Sequence, residues 1–269
     1  MIVTPQGRKL TVSLTLLVQN ETDCLRQMFE SLHPGRAVFD EILVGWTGTN
    51  PDTKAILDQY ATQVIPVEFQ HHMADARQAV HTLATGDLVM WLDADDLLLN
   101  GEALPELLST AFQYDDMGAV WLQYLYSFDE DGNVESDMRR ERVVRREWFE
   151  WRGSMHENLF VKDRFARTSF DERPDPVVVK HNTTRERLLN SSRRCLDIAT
   201  RQIKKEREEG NVDARTVLDL GRALMANGMN KEAIQTFEDY VQLCGWDDMR
   251  YFALNLMADL HRDLGEHER

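Results

Sequence analysis

The chain has 269 residues, of which 42% are hydrophobic and 29% charged, so it is long enough for one sizeable core or for one core with an appendage. Its 31 Lys and Arg residues against 46 Asp and Glu residues give a net charge of −15, which argues against a general nucleic-acid-backbone binder. Cys24, Cys195 and Cys244 lack the paired spacing of a zinc site or a disulfide framework, which favours a reducing, cytoplasmic environment. The apolar segment 10–18 is too short to span a bilayer and has no small-residue cleavage site, so we expect a strand there and no membrane span.

Strand and helix patterns alternate through the first hundred residues. In chain order the sequence predicts a strand at 11–18, a helix at 22–32, a strand at 41–44, a helix at 52–60, a strand at 64–69, a helix at 74–84 and a strand at 88–92. Gly86 is expected to end the third of these helices in the left-handed conformation that glycine adopts most easily. Repeated strand–helix units of this kind predict an α/β fold with a doubly wound, mostly parallel sheet.

The pattern changes after the first hundred residues. The elements predicted next are a helix at 101–114 and two strand-like runs at 119–128 and 134–145. Asp131-Gly132, in the polar link between the two runs, is a hairpin signal. The chain then becomes helical and strongly charged, which divides it into an α/β domain, 1–184, and a helical segment, 185–269.

The most informative segment is the run Leu-Val-Met-Trp-Leu-Asp-Ala-Asp-Asp at 88–96, an apolar stretch that ends in three carboxylates. The apolar part is typical of a strand buried on both faces of a parallel sheet, and open α/β sheets bind ligands at the carboxyl edge. Because side chains alternate along a strand, Asp93 and Asp95 are expected on one side and Asp96 on the other. Two carboxylates in a small volume favour a divalent cation that also carries phosphate. Asp96 by itself is more typical of a helix cap or a solvated loop.

Several short motifs, taken in order, resemble the family 2 glycosyltransferases of GT-A fold over about residues 11–181. They are Asp-Ala-Arg-Gln at 75–78, Gly-Asp at 86–87 and Trp-Leu-Asp-Ala-Asp-Asp at 91–96. The resemblance implies a metal-dependent enzyme that moves a sugar from a nucleotide-diphosphate sugar to an acceptor hydroxyl with inversion at the anomeric carbon. In such an enzyme, 1–100 is the nucleotide-sugar half of the domain and 101–184 is the acceptor half.

The resemblance implies a metal site made of Asp93, Asp95 and His181. Asp95 is the expected direct ligand, whereas Asp93 binds the ribose or reaches the metal through water. His181 ends another β-rich run, and a histidine at such a place completes the metal shell in similar family members. A mixed carboxylate and imidazole site favours Mn²⁺ over Mg²⁺. The alternative for His181 is a surface or hydrogen-bonded histidine.

On the donor side, Val18, Asn20 and Glu21 at the end of the first strand match the family's segment along the nucleotide. Arg77 is expected to meet the nucleotide or its diphosphate, which a guanidinium grips with two hydrogen bonds, and a plain surface ion pair is the alternative. The segment Gly-Trp-Thr-Gly-Thr-Asn-Pro at 45–51 departs from the family's Val-Asp-x-Gly-Ser-x-Asp. Trp46 stands where an aspartate usually meets the base, and it either stacks on the base or packs in the core.

On the acceptor side, Trp-Arg-Gly-Ser-Met-His-Glu at 151–157 resembles the aromatic-x-Gly-x-apolar-His-Glu segment of the repeat-bearing family members. Gly153 permits a close backbone approach, and the His-Glu pair supplies a base with a partner that tunes it. Glu157 is the expected base for the acceptor hydroxyl, and His156 is the second choice. A helix-capping or salt-bridged glutamate is the alternative for Glu157.

A basic run interrupts this acidic chain in the acceptor half. Its members are Arg139, Arg140, Arg142, Arg145 and Arg146. The run either gates the diphosphate or recognises an anionic acceptor, or it is a solvated stretch of exposed arginines.

The helical segment resembles a tetratricopeptide repeat. The residues at the spacing of that motif are Leu220, Gly221, Leu224, Gly228, Ala233 and Phe237. Small residues at Gly221 and Ala233 let two antiparallel helices approach, while Leu224 and Phe237 fill the seam. Fewer than three repeats seldom stand alone, so we expect docking on the α/β domain, self-association or partner binding through these helices. A helical hairpin without a repeat relationship is the alternative.

Two other functions are compatible with these motifs. A non-catalytic nucleotide- or partner-binding protein would use the helical segment as its working surface, and the altered segment 45–51 favours this view. A nucleotidyltransferase also uses paired acids on an α/β sheet, but it releases pyrophosphate. Fold-level analogy leaves a saccharide, a protein side chain and a modified nucleobase open as acceptors.

Overall fold

The computed structural model describes residues 1–162, 168–170 and 175–265. Its strands are β1 (Ile2–Val3), β2 (Lys9–Leu10), β3 (Val12–Val18), β4 (Glu41–Trp46), β5 (Gln63–Pro66), β6 (Leu88–Asp93), β7 (Asp96–Leu99), β8 (Met117–Phe128), β9 (Val134–Arg145), β10 (Phe149–Arg152), β11 (Asn158–Val161), β12 (Thr168–Phe170) and β13 (Val178–His181). Its α-helices are α1 (Thr22–Ser31), α2 (Pro51–Tyr60), α3 (Met73–Leu83), α4 (Leu104–Ala111), α5 (Arg185–Glu209), α6 (Ala214–Ala226), α7 (Asn230–Leu243) and α8 (Asp247–Asp263). In this described part of the chain, no helix is both long enough and apolar enough to cross a lipid bilayer.

Within the described residues, nine strands form one mixed sheet in the order β5-β4-β3-β6-β9-β8-β13-β7, with β12 added to β8. The four neighbouring strands β5, β4, β3 and β6 are parallel to one another, and β9 runs antiparallel to both β6 and β8. The β8–β9 hairpin forms where the Asp-Gly link predicted it, with Gly132 at φ 82°. The predicted α/β fold with a helical extension is therefore confirmed.

The central strands are buried because they are apolar on both faces. β6 lies between β3 and β9, and residues 88–92 are at most 3% exposed. β3 pairs with β4 on its other side, so that Val18 is opposite Trp46 and Leu17 is opposite Asp93. The carboxyl ends of these three strands therefore meet at one edge of the sheet, which is where an open α/β sheet places its ligands.

Gly86 does not act as the expected helix cap. Helix α3 ends at Leu83, Ala84 after it is extended, and Gly86 is absent from the described residues with positive φ. A Cβ at Gly86 would lie 2.6 Å from Oγ and 2.7 Å from the backbone nitrogen of Ser13. Position 86 therefore needs glycine because the chain passes against β3, and not because of its φ angle.

The described chain forms two compact units. The first contains 1–152 and 157–183, and the second contains 153–156 and the chain from Thr184 onward. In the second unit α6 packs against α7, with Gly221 against the ring of the fully buried Phe237. The close approach that small residues were expected to permit is present there. The tetratricopeptide relationship, the domain limits and partner binding through these helices stay predictions.

Candidate functional site

A tight turn joins β6 to β7 at the carboxyl edge of the sheet, and we call residues 93–96 the acidic turn. β6 ends at Asp93 and β7 begins at Asp96, so Asp95 lies in the turn and not on a strand. The side-chain alternation that predicted a common side for Asp93 and Asp95 stops where the strand ends. The two carboxylates contact different partners, Arg77 for Asp93 and His181 for Asp95.

Asp95 and His181 come together through the pairing of β13 with β7, which sets His181 opposite Asp96. The Nε2 atom of His181 lies 3.4 Å from Oδ2 of Asp95. The other ring nitrogen, Nδ1, lies 3.2 Å from the carbonyl oxygen of Tyr126, and the two rings stack with centroids 5.3 Å apart. Because a carbonyl only accepts hydrogen bonds, Nδ1 donates to Tyr126. Nε2 then faces Asp95, to which it donates in the charged ring, whereas in the neutral ring it carries a lone pair.

The pair of Asp95 and His181 fits a divalent cation. Burial disfavours the charged imidazole, yet the hydrogen bond and the charge of Asp95 raise the pKa of His181 above 6.5. Metal-ligating histidines usually donate their other N–H to a carbonyl, as His181 does. Among the described residues, no three His, Cys, Asp or Glu side chains are close enough to hold an ion by themselves. Two protein ligands suit a cation whose other ligands are phosphate oxygens and water.

Arg77 joins Asp93 to Glu157. It comes from α3, is 8% exposed, contacts Asp93 through Nη2 and donates from Nε to Oε1 of Glu157 at 2.6 Å. Burial favours the neutral acid at Asp93, but the charges of Arg77 and Arg142 outweigh it and lower the pKa of Asp93 to about 2. Arg77 therefore makes its ion pairs inside the protein, and Glu157 is salt-bridged to it, which leaves the predicted base role of Glu157 untested.

Two tryptophans hold the guanidinium of Arg77 in place. Its Cζ atom lies 5.1 Å from the ring centroid of Trp91 and 5.1 Å from that of Trp151. The two indoles meet edge to face, with centroids 5.1 Å apart. Cation–π contacts with a desolvated guanidinium are worth up to about 2 kcal/mol, so Arg77 has a fixed orientation between its two carboxylates.

At the same edge of the sheet, the loop after β3 binds the loop after β4. Oδ1 of Asn20 accepts the N–H groups of Thr49 and Asn50, each at 3.0 Å. Gly48 lies so close to β3 that a Cβ there would overlap the carbonyl oxygen of Gln19. The segment that departs from the family pattern thus has a defined position against the donor-side loop.

The other predicted donor-side residues lie around this junction. Val18 is buried in β3 opposite Trp46. Trp46 donates from Nε1 to the carbonyl of Gln19 at 3.0 Å, and Glu21 accepts the N–H of Gln19 at 2.6 Å. Trp46 packs partly against the core and is half-buried, and Nζ of Lys54 lies 5.9 Å from the centroid of its ring.

The predicted acceptor motif turns sharply. Gly153 has φ 105° and His156 has φ 53°, a conformation that is uncommon for a residue other than glycine. His156 is exposed and belongs to the second unit, whereas Glu157 is partly buried and belongs to the first. The role of either residue as a base stays a prediction.

The sequence did not reveal the ion pair between Asp96 and Arg142. Asp96 is neither a helix cap nor solvated, because both side chains are 0% exposed and Nη1 of Arg142 lies 2.9 Å from Oδ2 of Asp96. Cζ of Arg142 lies 3.9 Å from the ring centroid of Trp91 and 4.4 Å from that of Tyr124. Complete burial raises the pKa of Asp96, and the charge of Arg142 opposes that rise. Arg142 lies among charged residues, directly before only two valines, so its local sequence carried no signal of burial.

Other arginines of the basic run make separate internal contacts. Arg139 forms two contacts with Asp175, one of them at 2.8 Å. Arg145 donates from Nε to the carbonyl of Met117 at 2.7 Å, and Arg140 lies 5.0 Å from the centroid of Trp91. The guanidinium groups of these three arginines contact a carboxylate, a backbone carbonyl or an aromatic ring of the protein. The expectation of a solvated, exposed run is therefore wrong for them.

Comparison with known proteins gives a family match. The model of the family described as Glycosyl transferase family 2 matches residues 13–167, which is more than half of the chain. No curated protein sequence matches the chain.

Several solved structures are similar to the chain. One is the glucosyl-3-phosphoglycerate synthase from Mycobacterium tuberculosis in complex with Mn²⁺, uridine diphosphate and glucosyl-3-phosphoglycerate, at 22% identity and a TM-score of 0.35 over 44% of each chain. The same synthase in complex with Mg²⁺ and uridine diphosphate gives 22% identity and a TM-score of 0.34, again over 44% of each chain. S. aureus TarS, residues 1–349, gives 12% identity and a TM-score of 0.47 over 96% of this chain and 93% of TarS. The match to the synthase spans less than half of that enzyme's length.

Proposed function

Because this chain belongs to glycosyl transferase family 2, we propose that it transfers a sugar from a nucleotide-diphosphate sugar to an acceptor hydroxyl with the help of a divalent cation. The observation that carries the proposal is the pair of Asp95 and His181 at the carboxyl edge of β6, with the ring of His181 oriented by the carbonyl of Tyr126. The family resemblance supports a single displacement with inversion at the anomeric carbon. The acceptor is a saccharide, a protein side chain or a modified nucleobase.

Asp95 and His181 would hold the cation. Mn²⁺ suits their mixed oxygen and nitrogen donor set better than Mg²⁺ does. When bound, the cation stabilises the negative charge that develops on the leaving nucleoside diphosphate. Because the hydrogen bond from His181 to Tyr126 is already present, the imidazole needs no reorientation to act as a ligand.

The donor nucleotide would lie along the loops after β3 and β4. The residues proposed to line it are Val18, Asn20, Glu21 and Trp46. The half-buried Trp46 would stack its ring on the base. Asp93, which its ion pair with Arg77 keeps ionised at neutral pH, would accept hydrogen bonds from the ribose hydroxyls. The two ion pairs of Arg77 support a role in orienting Asp93. This role is in addition to the contact that we propose between Arg77 and the diphosphate.

Glu157 would take the proton of the acceptor hydroxyl, with His156 as the second candidate. The side chain of Glu157 is 13% exposed, and the hydrogen bond from Arg77 holds its carboxylate in one orientation. In a direct displacement the hydroxyl oxygen bonds to the anomeric carbon while its proton passes to the carboxylate and the diphosphate leaves.

The proposal is tested by incubating the protein with nucleotide-activated sugars and Mn²⁺ and identifying the nucleoside diphosphate that is released. We expect release that requires the metal, and Asp95→Ala should reduce the rate by at least about 100-fold because the leaving charge loses its main stabilisation. Asp115→Ala is the matched control, since this side chain is 93% exposed and it should retain the wild-type rate.

A wild-type rate in Asp95→Ala would show that the metal assignment is wrong. In a parallel incubation with a nucleoside triphosphate and a sugar phosphate, release of pyrophosphate would identify a nucleotidyltransferase. If calorimetry with Mn²⁺ and several nucleoside diphosphates gives no heat at all, the result favours a partner-binding protein over a transferase.

A further inference from the structure

We propose that the buried ion pair of Asp96 and Arg142 is a positioning device that holds the acidic turn in the geometry needed to bind the cation. The inference rests on the proposed function, because the turn carries Asp95. Asp96 and Arg142 touch neither donor nor acceptor in this account, since both side chains are 0% exposed. They act through the residues beside them.

The ion pair links the last residues of β6 to the first residue of β7. Oδ2 of Asp96 accepts the backbone N–H of Asp93 at 2.9 Å and also accepts Nη1 of Arg142 at 2.9 Å. The same Nη1 lies 3.4 Å from the carbonyl oxygen of Trp91. One guanidinium from β9 therefore sets the spacing across the turn, because it contacts the chain both before and after Asp95.

The remaining backbone of the turn is held from other elements. The thiol of Cys24, on α1, lies 3.2 Å from the carbonyl oxygen of Ala94. The backbone N–H of Asn182 donates to the carbonyl oxygen of Asp95 at 2.7 Å. Asn182 directly follows His181, so this bond also ties the histidine to the turn. The carboxylate and the imidazole proposed as metal ligands thus share one rigid backbone frame.

The energetics favour a geometric role for the pair over a stabilising one. Arg142 lies between the rings of Trp91 and Tyr124, and its buried Nε and Nη2 atoms find no hydrogen-bond partner within the described residues. A buried ion pair with unsatisfied nitrogens is a poor source of stability, and apolar residues of similar volume often stabilise such a site better. Rigid placement of the neighbouring ligands is a gain that apolar residues do not reproduce.

The test is the charge-free double variant Asp96→Val with Arg142→Met, which removes the pair without leaving an unpaired charge. Arg139→Met with Asp175→Asn is the matched control, because it removes a second ion pair of β9. Four quantities are measured for each protein: the melting temperature, kcat and KM for the donor, the affinity for Mn²⁺, and hydrogen–deuterium exchange of the amides at 93–95.

For the double variant at positions 96 and 142 we expect a melting temperature close to that of the wild type. We expect Mn²⁺ affinity and kcat each to fall about 10- to 100-fold, the usual effect of losing an outer-shell partner, with donor KM changed less than about threefold. Hydrogen–deuterium exchange of the backbone amides at 93–95 should be faster than in the wild type. The control variant should show none of these changes in affinity, kcat or exchange.

Wild-type Mn²⁺ affinity and kcat in a folded double variant would overturn the positioning role while leaving the proposed function standing. If the double variant does not fold, Arg142→Lys decides, because it keeps the charge on a side chain one bond too short to reach the position of Nη1, which contacts both Asp96 and the Trp91 carbonyl. Unchanged affinity and exchange in this variant overturn the proposal. A wild-type protein that neither binds Mn²⁺ nor releases a nucleoside diphosphate would instead refute the proposed function.

Discussion

Substituting Gly48→Ala should weaken donor binding through the junction of two loops. A Cβ at position 48 would overlap the carbonyl oxygen of Gln19 and lie 2.5 Å from its carbonyl carbon, whereas real Cβ contacts stay beyond 3.0 Å. Because the obstacle is backbone, the loops must separate by about 1 Å, and a misplacement of that size costs up to about 100-fold in function. The separation also weakens the two hydrogen bonds from Thr49 and Asn50 to Asn20, each worth about 1 kcal/mol.

Calorimetric titration with Mn²⁺ and the nucleoside diphosphate found in the screen measures the effect on the donor site, and urea unfolding measures the effect on stability. We expect the Kd to rise about 10- to 100-fold and the free energy of unfolding to fall by about 2 kcal/mol. Gly245→Ala is the control, because no atom of the described chain lies within 4 Å of a Cβ there. Wild-type affinity in Gly48→Ala would refute the reasoning that the spacing of these loops shapes the donor site.

Two further predictions concern stability. His81 is buried, its Nε2 lies 2.9 Å from the Arg146 carbonyl, and burial lowers its pKa below the ordinary 6.5. The unfolded chain therefore binds the proton more readily, so the free energy of unfolding should fall as pH drops through about 6.5. Urea unfolding at about pH 8 and about pH 5 measures this fall, which should be smaller for His81→Gln than for the wild type. In the second unit, a Cβ at Gly221 would lie 2.5 Å from Cε1 of Phe237, so Gly221→Ala should cost about 1–3 kcal/mol by overpacking. The cost should shrink in a Phe237→Leu background, and strictly additive effects in thermal unfolding of the four proteins would contradict this contact.

Local patterns were sufficient for the main elements of the α/β unit. The apolar run before Asp93 predicted the buried strand β6, and Asp131-Gly132 predicted the β8–β9 hairpin. Both outcomes depend on a few neighbouring residues, namely on burial of an unbroken apolar strand and on the positive φ that Gly132 adopts. The order of the short motifs predicted the family, and the family model matches over 13–167.

The candidate site was only partly accessible to such patterns. Asp95 and His181 were named together from the family resemblance, and the pairing of β13 with β7 brings them within 3.4 Å. The shared side of Asp93 and Asp95 stays a prediction, because strand β6 ends at Asp93 and the alternation that supported it does not extend to Asp95. Where a strand ends depends on which strands pair with it, and side-chain alternation holds only up to that point.

The sequence by itself determined the fold class, the family and the position of the acidic residues at a strand end, since these follow from local composition and motif order. Only the tertiary structure decided which side chain faces which. Asp96 has the local context of a cap or loop residue, yet it is fully buried against Arg142, which lies 46 residues further along the chain. The physical reason is that a buried charge is tolerable only beside a compensating charge, and the sheet order that brings β9 next to β6 supplies it.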